Sequence, residues 1–142
     1  MDNVFVDTNI WIYALIQEKG NGTKHVKTVE LFEHLQSSAR IFISAQIINE
    51  FHWVLSRKYK ISDNDIILKV KDSISKMCEI VPIDFDTYLD SAIIREKYKI
   101  SFWDSLIVSS SLKNDCDILF SEDMGHNHII EKKLRIINPY IA

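Results

Sequence analysis

The sequence predicts an α/β fold built around a parallel sheet. Short apolar runs alternate with longer segments in which apolar residues recur every three or four positions. This order of segments is typical of strands joined by helical crossovers, which produce parallel sheets. With only 3 Gly and 2 Pro among 142 residues, most of the chain is free to form helix or strand. We expect residues 1–142 to form one domain.

The apolar runs are predicted to be strands, and most of the segments between them helices. The strands are predicted at residues 4–6, 40–43, 79–82, 117–120 and 134–137. The helices are predicted at residues 10–17, 24–38, 44–60, 62–77, 84–98, 102–114 and 127–132. Most of these helices start at a Ser, Thr, Asn or Asp, whose side chains accept bonds from the first free backbone N–H groups. Segment 19–23, with the sequence KGNGT, is predicted to be a loop.

The charge balance argues against a protein that binds nucleic acid by electrostatics alone. The formal net charge is −3, whereas a protein of that kind is usually basic. A bound divalent cation would supply positive charge, because such an ion is often the largest local charge in a site. Any role on nucleic acid therefore needs a further source of positive charge, and such an ion is one.

The cysteines and the N-terminus indicate a cytoplasmic protein. Cys78 and Cys116 are isolated, so the sequence contains neither a CxxC pair nor a disulfide framework. The chain begins MDNVFVD, without the basic region of a signal peptide. The longest apolar stretch, residues 10–16, is too short to cross a bilayer. We therefore expect a cytoplasmic chain that does not enter the membrane.

Four acidic residues lie where a parallel sheet would bring them together. Asp7 directly follows the first strand, and Asp123 lies just past the strand at 117–120. Glu50 lies two turns into the helix after the second strand, and Asp104 lies in the first turn of its helix. Ligands of open parallel sheets bind beyond the carboxyl ends of the strands. We expect the four carboxylates to converge there.

Each acid also has a structural explanation. Asp7 is a favoured type of helix cap, and Glu50 could face solvent on an amphipathic helix. Asp104 follows Ser101 by three residues, which resembles a capping box with Asp in place of Glu. A structural role and a place in the site are compatible, because an acid in the first turn of a helix can also face a cleft.

The fourth acid has a neighbour that competes for its role. Glu122 adjoins Asp123, and either residue could be a turn acid. Ser121 would add a hydroxyl to the site or cap the turn. Oxygen ligands without paired Cys or clustered His suit Mg²⁺ or Mn²⁺ rather than zinc.

The histidine pair and the tryptophans receive structural interpretations. His126 and His128 form an HxH pair without a third partner, so they are predicted to be surface or turn residues. Trp11, Trp53 and Trp103 lie on apolar helical faces and are predicted to belong to the core rather than to stack on bases.

The acidic motifs resemble those of the PIN domain, in particular those of the VapC-type toxins of bacterial toxin–antitoxin pairs. VDTNIWIYAL at 6–15 is similar to the family's opening strand and helix, and INEF at 48–51 to its second acidic motif. SFWDSLIVSS at 101–110 is similar to the third motif. LFSEDMGHNHII at 119–130 and LRIINPY at 134–140 are similar to the fourth acid and the terminal strand. The resemblance covers nearly the whole chain and preserves the order of the motifs.

The resemblance implies a fold, an activity and partners. The implied fold is a three-layer α/β/α sandwich with a central parallel sheet. The implied activity is metal-dependent endoribonuclease cleavage of RNA by a toxin that forms a homodimer and is inhibited by a cognate antitoxin. The residues it assigns to catalysis and to Mg²⁺ (or Mn²⁺) are Asp7, Glu50, Asp104 and Asp123, with helpers at Thr8, Asn9 or Ser121.

Other functions remain open at this point. A catalytically inactive PIN-like binding module would use the acids only as caps and surface charges. A nuclease directed at DNA would use the same acids, since the choice between RNA and DNA depends on contacts with the 2′-OH. A phosphatase is disfavoured, because VDTN lacks the DxD pair expected of an aspartyl-phosphate enzyme.

Overall fold

A computed structural model describes residues 1–17, 20 and 22–141. It contains six strands and a series of helices in alternating order. The strands are β1 (Asp2–Val6), β2 (Ala39–Ser44), β3 (Glu79–Val81), β4 (Ile118–Phe120), β5 (Ile129–Ile130) and β6 (Leu134–Ile137). The helices are α1 (Thr8–Leu15), α2 (Gly22–Ser38), α3 (Ala45–Arg57), α4 (Asp63–Lys69), α5 (Ser75–Met77), α6 (Phe85–Tyr98) and α7 (Phe102–Lys113), with a π-helical segment, Val70–Ile74, between α4 and α5.

The strands form one mainly parallel sheet in the order β3-β2-β1-β4-β6-β5. β1 lies near the middle and pairs in parallel with β2 on one side and with β4 on the other. Only β5 runs antiparallel to its neighbour, β6. The predicted α/β fold with a parallel sheet is therefore confirmed.

Helices cover both faces of the sheet. Successive residues of a strand point to opposite faces, yet Val4, Phe5 and Val6 of β1 are all at most 1% exposed. The helices α6 and α7 pack against each other, while α1 packs against α2 and α3. The architecture agrees with the three-layer sandwich that the resemblance implied. No helix in the described residues is long and apolar enough to cross a bilayer.

Polar side chains cap several helices and so fix where they begin. The Asp7 side chain accepts a hydrogen bond from the Thr8 backbone N–H, so Asp7 is the cap of α1. Ser62 caps α4 and Ser101 caps α7, as predicted, each by accepting a bond from the backbone N–H three residues on.

The predicted helix at 127–132 is wrong. Residues 129–130 form β5, and a tight turn connects this strand to β6. The Lys133 N–H donates to the Ile130 carbonyl at 3.1 Å, while Glu131 and Lys132 between them have positive φ angles of 55° and 56°. Positive φ at both central residues is the signature of a type I′ hairpin turn.

Two other predicted segments differ in detail. The predicted helix at 62–77 exists but contains the π-helical segment Val70–Ile74, for which the side chains give no reason. The predicted loop at 19–23 includes Lys19 and Asn21, which lie outside the described residues. Gly22 and Thr23 belong to α2, so this helix begins earlier than predicted.

Candidate active site

Asp7 and Ser121 meet because they follow equivalent positions of adjacent parallel strands. Val6 of β1 pairs with Phe120 of β4, and the Asp7 N–H donates to the Phe120 carbonyl at 3.0 Å. The Ser121 hydroxyl then donates to Asp7 Oδ2 at 2.8 Å. Asp7 is only 9% exposed, so a carboxylate is fixed at the end of the central strand, largely out of solvent.

Glu50 reaches the same end of the sheet from α3. The Thr8 hydroxyl donates to Glu50 Oε2 at 2.6 Å, and the Gln46 side-chain amide donates to Glu50 Oε1 at 2.9 Å. Gln46 lies one turn before Glu50 on the same helix. Both carboxylate oxygens are therefore bonded, and their donors fix the orientation of the Glu50 side chain.

Asp104 lies in the first turn of α7 and also lines a cleft with other acids. Its backbone N–H donates to the Ser101 hydroxyl at 3.1 Å, as the capping-box pattern predicts. The side chain is half-buried and faces the cleft that Asp7 also lines.

The two candidates for the fourth acid point in different directions. Asp123 lines the cleft, and its Oδ2 accepts a hydrogen bond from the Asn9 side-chain amide at 3.1 Å. Glu122 instead forms an ion pair with Lys24, which also donates to the Tyr13 hydroxyl. The geometry therefore favours Asp123 over Glu122 as a member of the site.

The acids share one cleft of about 230 Å³. Its lining consists of Asp7, Thr8, Asn9, Glu50, Trp53, Val54, Asp104, Ile107 and Asp123. A larger cleft of about 560 Å³ is associated with α6 and α7, but its charged groups are of mixed sign. The smaller cleft is the better candidate, because charges of a single sign converge there without a basic residue in the lining.

Crowding and burial disfavour the charged forms of two of these carboxyl groups. Burial raises the pKa of Asp7 to about 6, against the lowering effect of its bonds from Thr8 and Ser121; nearby Glu50 and Asp104 raise it further. Burial also raises the pKa of Asp104, with additional contributions from the charges of Asp123 and Glu50. A cation in the cleft would relieve this cost.

The donor set fits a hard divalent cation. Carboxylate, hydroxyl and amide oxygens line the cleft, without Cys or His, and these are the ligand types of Mg²⁺ and Mn²⁺. Among the described residues, however, no group of three or more Asp, Glu, His or Cys side chains lies close enough to hold an ion as they now stand. Hydrogen bonds from Thr8 and Gln46 engage the carboxylate oxygens of Glu50, and one from Asn9 engages Asp123.

The sequence prediction missed some residues near the site. Gln46 was not identified, because one amide on an amphipathic helix carries no signal of its own. Trp53 and Trp103 were predicted to be core residues, and this is wrong, since each is 61% exposed. Trp11 is buried as predicted. Apolar periodicity places a tryptophan on a helical face but does not show whether another element covers that face.

The HxH pair lies outside the acidic cleft. Both histidines are exposed, as predicted for surface or turn residues. His126 Nδ1 accepts a hydrogen bond from the Asn138 backbone N–H at 3.0 Å, and the His128 ring packs edge-on against Tyr98. These contacts give the pair a structural role in the described part of the chain.

Comparison with known proteins gives one family and a consistent set of folds. The family model of the PIN domain matches residues 4–132. A toxin–antitoxin complex from Klebsiella pneumoniae is similar at 19% identity and a TM-score of 0.71, with 96% of this chain and 98% of that chain covered. A DNA-bound VapBC complex from Salmonella typhimurium is similar at 17% identity and a TM-score of 0.67, with coverage of 96% and 97%.

A third similar structure is that of a further toxin. It is VapC20 of Mycobacterium tuberculosis, described as a toxin that cleaves the sarcin–ricin loop. Its identity to this chain is 15% and its TM-score 0.62, with 84% of this chain and 91% of that chain covered. Among curated protein sequences, none matches this chain.

Proposed function

Because this chain belongs to the PIN domain family, we propose that it is a Mg²⁺- or Mn²⁺-dependent endoribonuclease that hydrolyses RNA phosphodiester bonds. One observation carries the proposal: acids from β1's end, α3, α7 and the segment after β4 line a single cleft. A purely structural set of caps and surface charges has no reason to gather in one place at the cost of raising the pKa of a buried carboxyl group.

The acids divide into ligands and an orienting group. Asp7, Asp104 and Asp123 would hold the ion, and Glu50 would bind metal or orient the attacking water. When bound, such an ion acts as a Lewis acid and lowers the pKa of a water molecule. The side chains around the acids would contribute by holding the acids in position.

Neighbouring polar side chains fix the orientation of the acids. Ser121 holds Asp7, Thr8 holds Glu50, and Asn9 holds Asp123. Thr8, Asn9 and Ser121 are therefore the helpers, and Gln46 joins them as a second donor to Glu50. Catalytic groups held by such bonds lose less orientational freedom at the moment of reaction.

We further propose that the protein is the toxin of a toxin–antitoxin pair. Toxin–antitoxin complexes among its structural neighbours support a protein antitoxin as partner. A cleft with several carboxylates and no basic residue would accept a basic side chain from that partner.

Oligomeric state and place of action follow from other features of the chain. The exposed apolar residues of α6 support a homodimer. We expect action in the cytoplasm, since Cys78 and Cys116 are both free thiols.

The test is cleavage of a mixed pool of structured RNAs, with a matched pool of DNA, by antitoxin-free protein. Reactions with Mg²⁺, with Mn²⁺ and with EDTA would be compared for the wild type, Asp7→Asn and Asp86→Asn. Asp86 is a matched control, because it is an exposed acid in the first turn of α6. We expect RNA cleavage that requires metal, is lost in Asp7→Asn and is unchanged in Asp86→Asn.

Other outcomes would select the alternatives. Metal-dependent cleavage of DNA alone would indicate a DNA-directed nuclease that uses the same acids. Folded protein that neither cleaves nor binds Mn²⁺ would indicate an inactive binding module. Full activity of Asp7→Asn would contradict the assignment of this residue.

A second comparison addresses the fourth acid. Asp123→Asn removes a carboxylate that lines the cleft, whereas Glu122→Gln removes one that faces Lys24. We expect the first change to abolish cleavage and the second to preserve most of it. The reverse result would place Glu122 in the site.

A further inference from the structure

Two exposed tryptophans line the two clefts that share Glu50. Trp53 and Trp103 are each 61% exposed, although an indole ring in water forgoes a large hydrophobic gain. Trp53 lines the acidic cleft itself. Trp103 lines an adjoining groove of about 460 Å³, and Glu50 belongs to the lining of both. The two rings therefore border the reactive groups rather than a remote surface.

Trp53 carries a basic partner. It lies one turn after Glu50 on α3, and the Arg57 guanidinium lies over its ring with Cζ 4.8 Å from the centroid. A guanidinium stacked on an aromatic ring keeps its N–H donors free at the edge, where they can bind a phosphate. Trp53 and Arg57 together thus offer an aromatic surface and a phosphate contact beside the acids.

Trp103 is tied to the active site through one amide group. Gln46 Nε2 donates to the Trp103 carbonyl at 3.2 Å and to Glu50 Oε1 at 2.9 Å. Gln46 is only 8% exposed, so these bonds are largely shielded from solvent. Ile83 and Leu106 form apolar walls of the groove beside Trp103. The backbone at Trp103 is therefore tied to the Glu50 carboxylate through Gln46.

We propose that Trp53 and Trp103 are stacking platforms for unpaired nucleobases on the two sides of the phosphate that is cleaved. The inference rests on the proposed nuclease function and extends it to the way the substrate is held. Trp53 and Trp103 line different clefts that share Glu50, so each platform would contact a different nucleotide of one strand.

Charge and polarity favour a nucleotide strand over an apolar protein surface. The net charge of −3 gives the phosphate backbone little attraction, so binding needs a contribution that does not depend on charge. Stacking on aromatic rings supplies one and tolerates any base sequence. The clefts that the two rings line also contain the polar residues Gln46, Asn49 and Glu50, whose groups an apolar partner would have to desolvate.

The test pairs protein variants with RNA lacking single bases. Single-stranded RNA that the wild type cleaves would be prepared with an abasic nucleotide on either side of the cleavage site, and with one placed far away as a control. Each tryptophan would be replaced by Leu, which stays apolar but loses the π face, and by Phe, which keeps a ring. Circular dichroism and the oligomeric state would be measured for every variant.

We expect each Trp→Leu change to lower kcat/KM only when the base that stacks on that tryptophan is present in the RNA. Trp→Leu should lower kcat/KM by roughly 5- to 150-fold on intact RNA, since one stacked base contributes about 1–3 kcal/mol. On RNA that lacks the matching base, the Leu variant and the wild type should cleave about equally well. On intact RNA, Trp→Phe should retain most of the wild-type activity. The distant abasic nucleotide should leave the effect of the variant unchanged.

The alternatives give different results. If the wild type cleaves with metal and Asp7 while both Leu variants cleave normally, the stacking proposal alone fails. The same loss on intact and abasic RNA, or a loss that accompanies dissociation of a dimer, shows that the ring serves folding or a protein interface, and overturns the proposal. Absence of RNA cleavage by the wild type overturns both this inference and the proposed function.

Discussion

Two features of the Asp7 environment act in opposite directions on the charge of its carboxyl group. As the cap of α1 it accepts a bond from the Thr8 N–H, and this bond favours the charged form. Burial at the end of β1 disfavours that form more strongly, so the pKa rises to about 6. The folded chain without metal therefore keeps a destabilising charge at neutral pH, which is a cost that a bound cation would offset.

Asp7→Asn should stabilise the metal-free protein at neutral pH. The folded state holds the Asp7 proton to about pH 6 and the unfolded chain only to about 3.8, so the free energy of unfolding falls as pH rises through that window. Asn removes the charge and keeps groups able to bond with Thr8 and Ser121. In EDTA at pH 7.5 we expect a gain on the order of 2 kcal/mol.

The pH dependence distinguishes this effect from a general change in packing. Below pH 4 the wild-type carboxyl group is neutral in the folded state, so the gain from Asp7→Asn should largely disappear. Urea unfolding at several pH values would measure it, with Asp86→Asn as an exposed control. A variant less stable than the wild type at pH 7.5 would show that the charged form of Asp7 is not a burden to the fold.

Thr8→Val tests the bond that holds Glu50. Val has nearly the same shape, but it cannot donate the 2.6 Å hydrogen bond to Glu50 Oε2. Thr8 is 5% exposed, so the added methyl group stays in a protected position. We expect kcat to fall by about 10- to 100-fold with a smaller change in KM, because a mispositioned group chiefly affects the transition state.

The matched control for this change is Thr8→Ser, which keeps the hydroxyl and loses only a methyl group. It should retain most of the wild-type kcat. Equal losses of kcat in the Val and Ser variants would mean that packing around Thr8, and not its bond to Glu50, matters for the reaction. Steady-state cleavage of a defined RNA measures both.

At the scale of whole elements, the hairpin of β5 and β6 shows where local patterns lose to tertiary contacts. Hairpins with positive φ at both turn residues usually contain Asn-Gly, but here the residues are Glu131 and Lys132. Tyr98 compensates: its hydroxyl accepts the Glu131 N–H at 2.8 Å and donates to Glu131 Oε1 at 3.1 Å. Lys97 adds an ion pair to the same carboxylate. A sequence pattern cannot reveal such partners from α6.

Lys132→Gly should stabilise this hairpin. Lys132 is exposed and has a φ of 56°, a conformation that costs an ordinary residue energy and costs Gly little. We expect the free energy of unfolding to rise by about 1 kcal/mol, partly offset by the greater freedom of Gly in the unfolded chain. Lys132→Ala removes the same charge but keeps the strain, so it should give no gain. A similar result for both variants, measured by urea unfolding, would contradict this account.

The strand and helix order allowed the acidic site to be predicted better than its surroundings. Parallel strands place their carboxyl ends at one edge, so Asp7 and Asp123 were predicted to be neighbours from chain position alone. The structure also brings Glu50 and Asp104 to line that cleft. Trp53 is exposed because no other helix that the structure describes packs over its side chain. The spacing of apolar residues within α3 does not contain that information.

At the scale of the whole molecule, α6 presents an apolar strip to solvent. Its members lie at helical spacing, and each is at least 46% exposed: Phe85, Tyr88, Leu89 and Ile93. The Phe85 and Tyr88 rings stack on each other with centroids 6.1 Å apart, so they form a preorganised surface. A strip of this kind on a protein surface commonly marks an interface. We expect it to be covered by the same strip of a second copy, since dimers with twofold symmetry bury one patch against itself.

Charge introduced into this strip should therefore separate the dimer. The test is the double variant Phe85→Lys and Ile93→Lys. In a twofold dimer the two new ammonium groups of one copy would face those of the other, and burying these charges costs more than the apolar contact gains. We expect a homodimer for the wild type at micromolar concentration and a folded monomer for this variant, measured by light scattering after size-exclusion chromatography. Leu68→Lys on α4, where the side chain is 52% exposed, is the control and should remain dimeric. A dimer that survives both changes on α6 would place the interface elsewhere, and a wild-type monomer would contradict the homodimer itself.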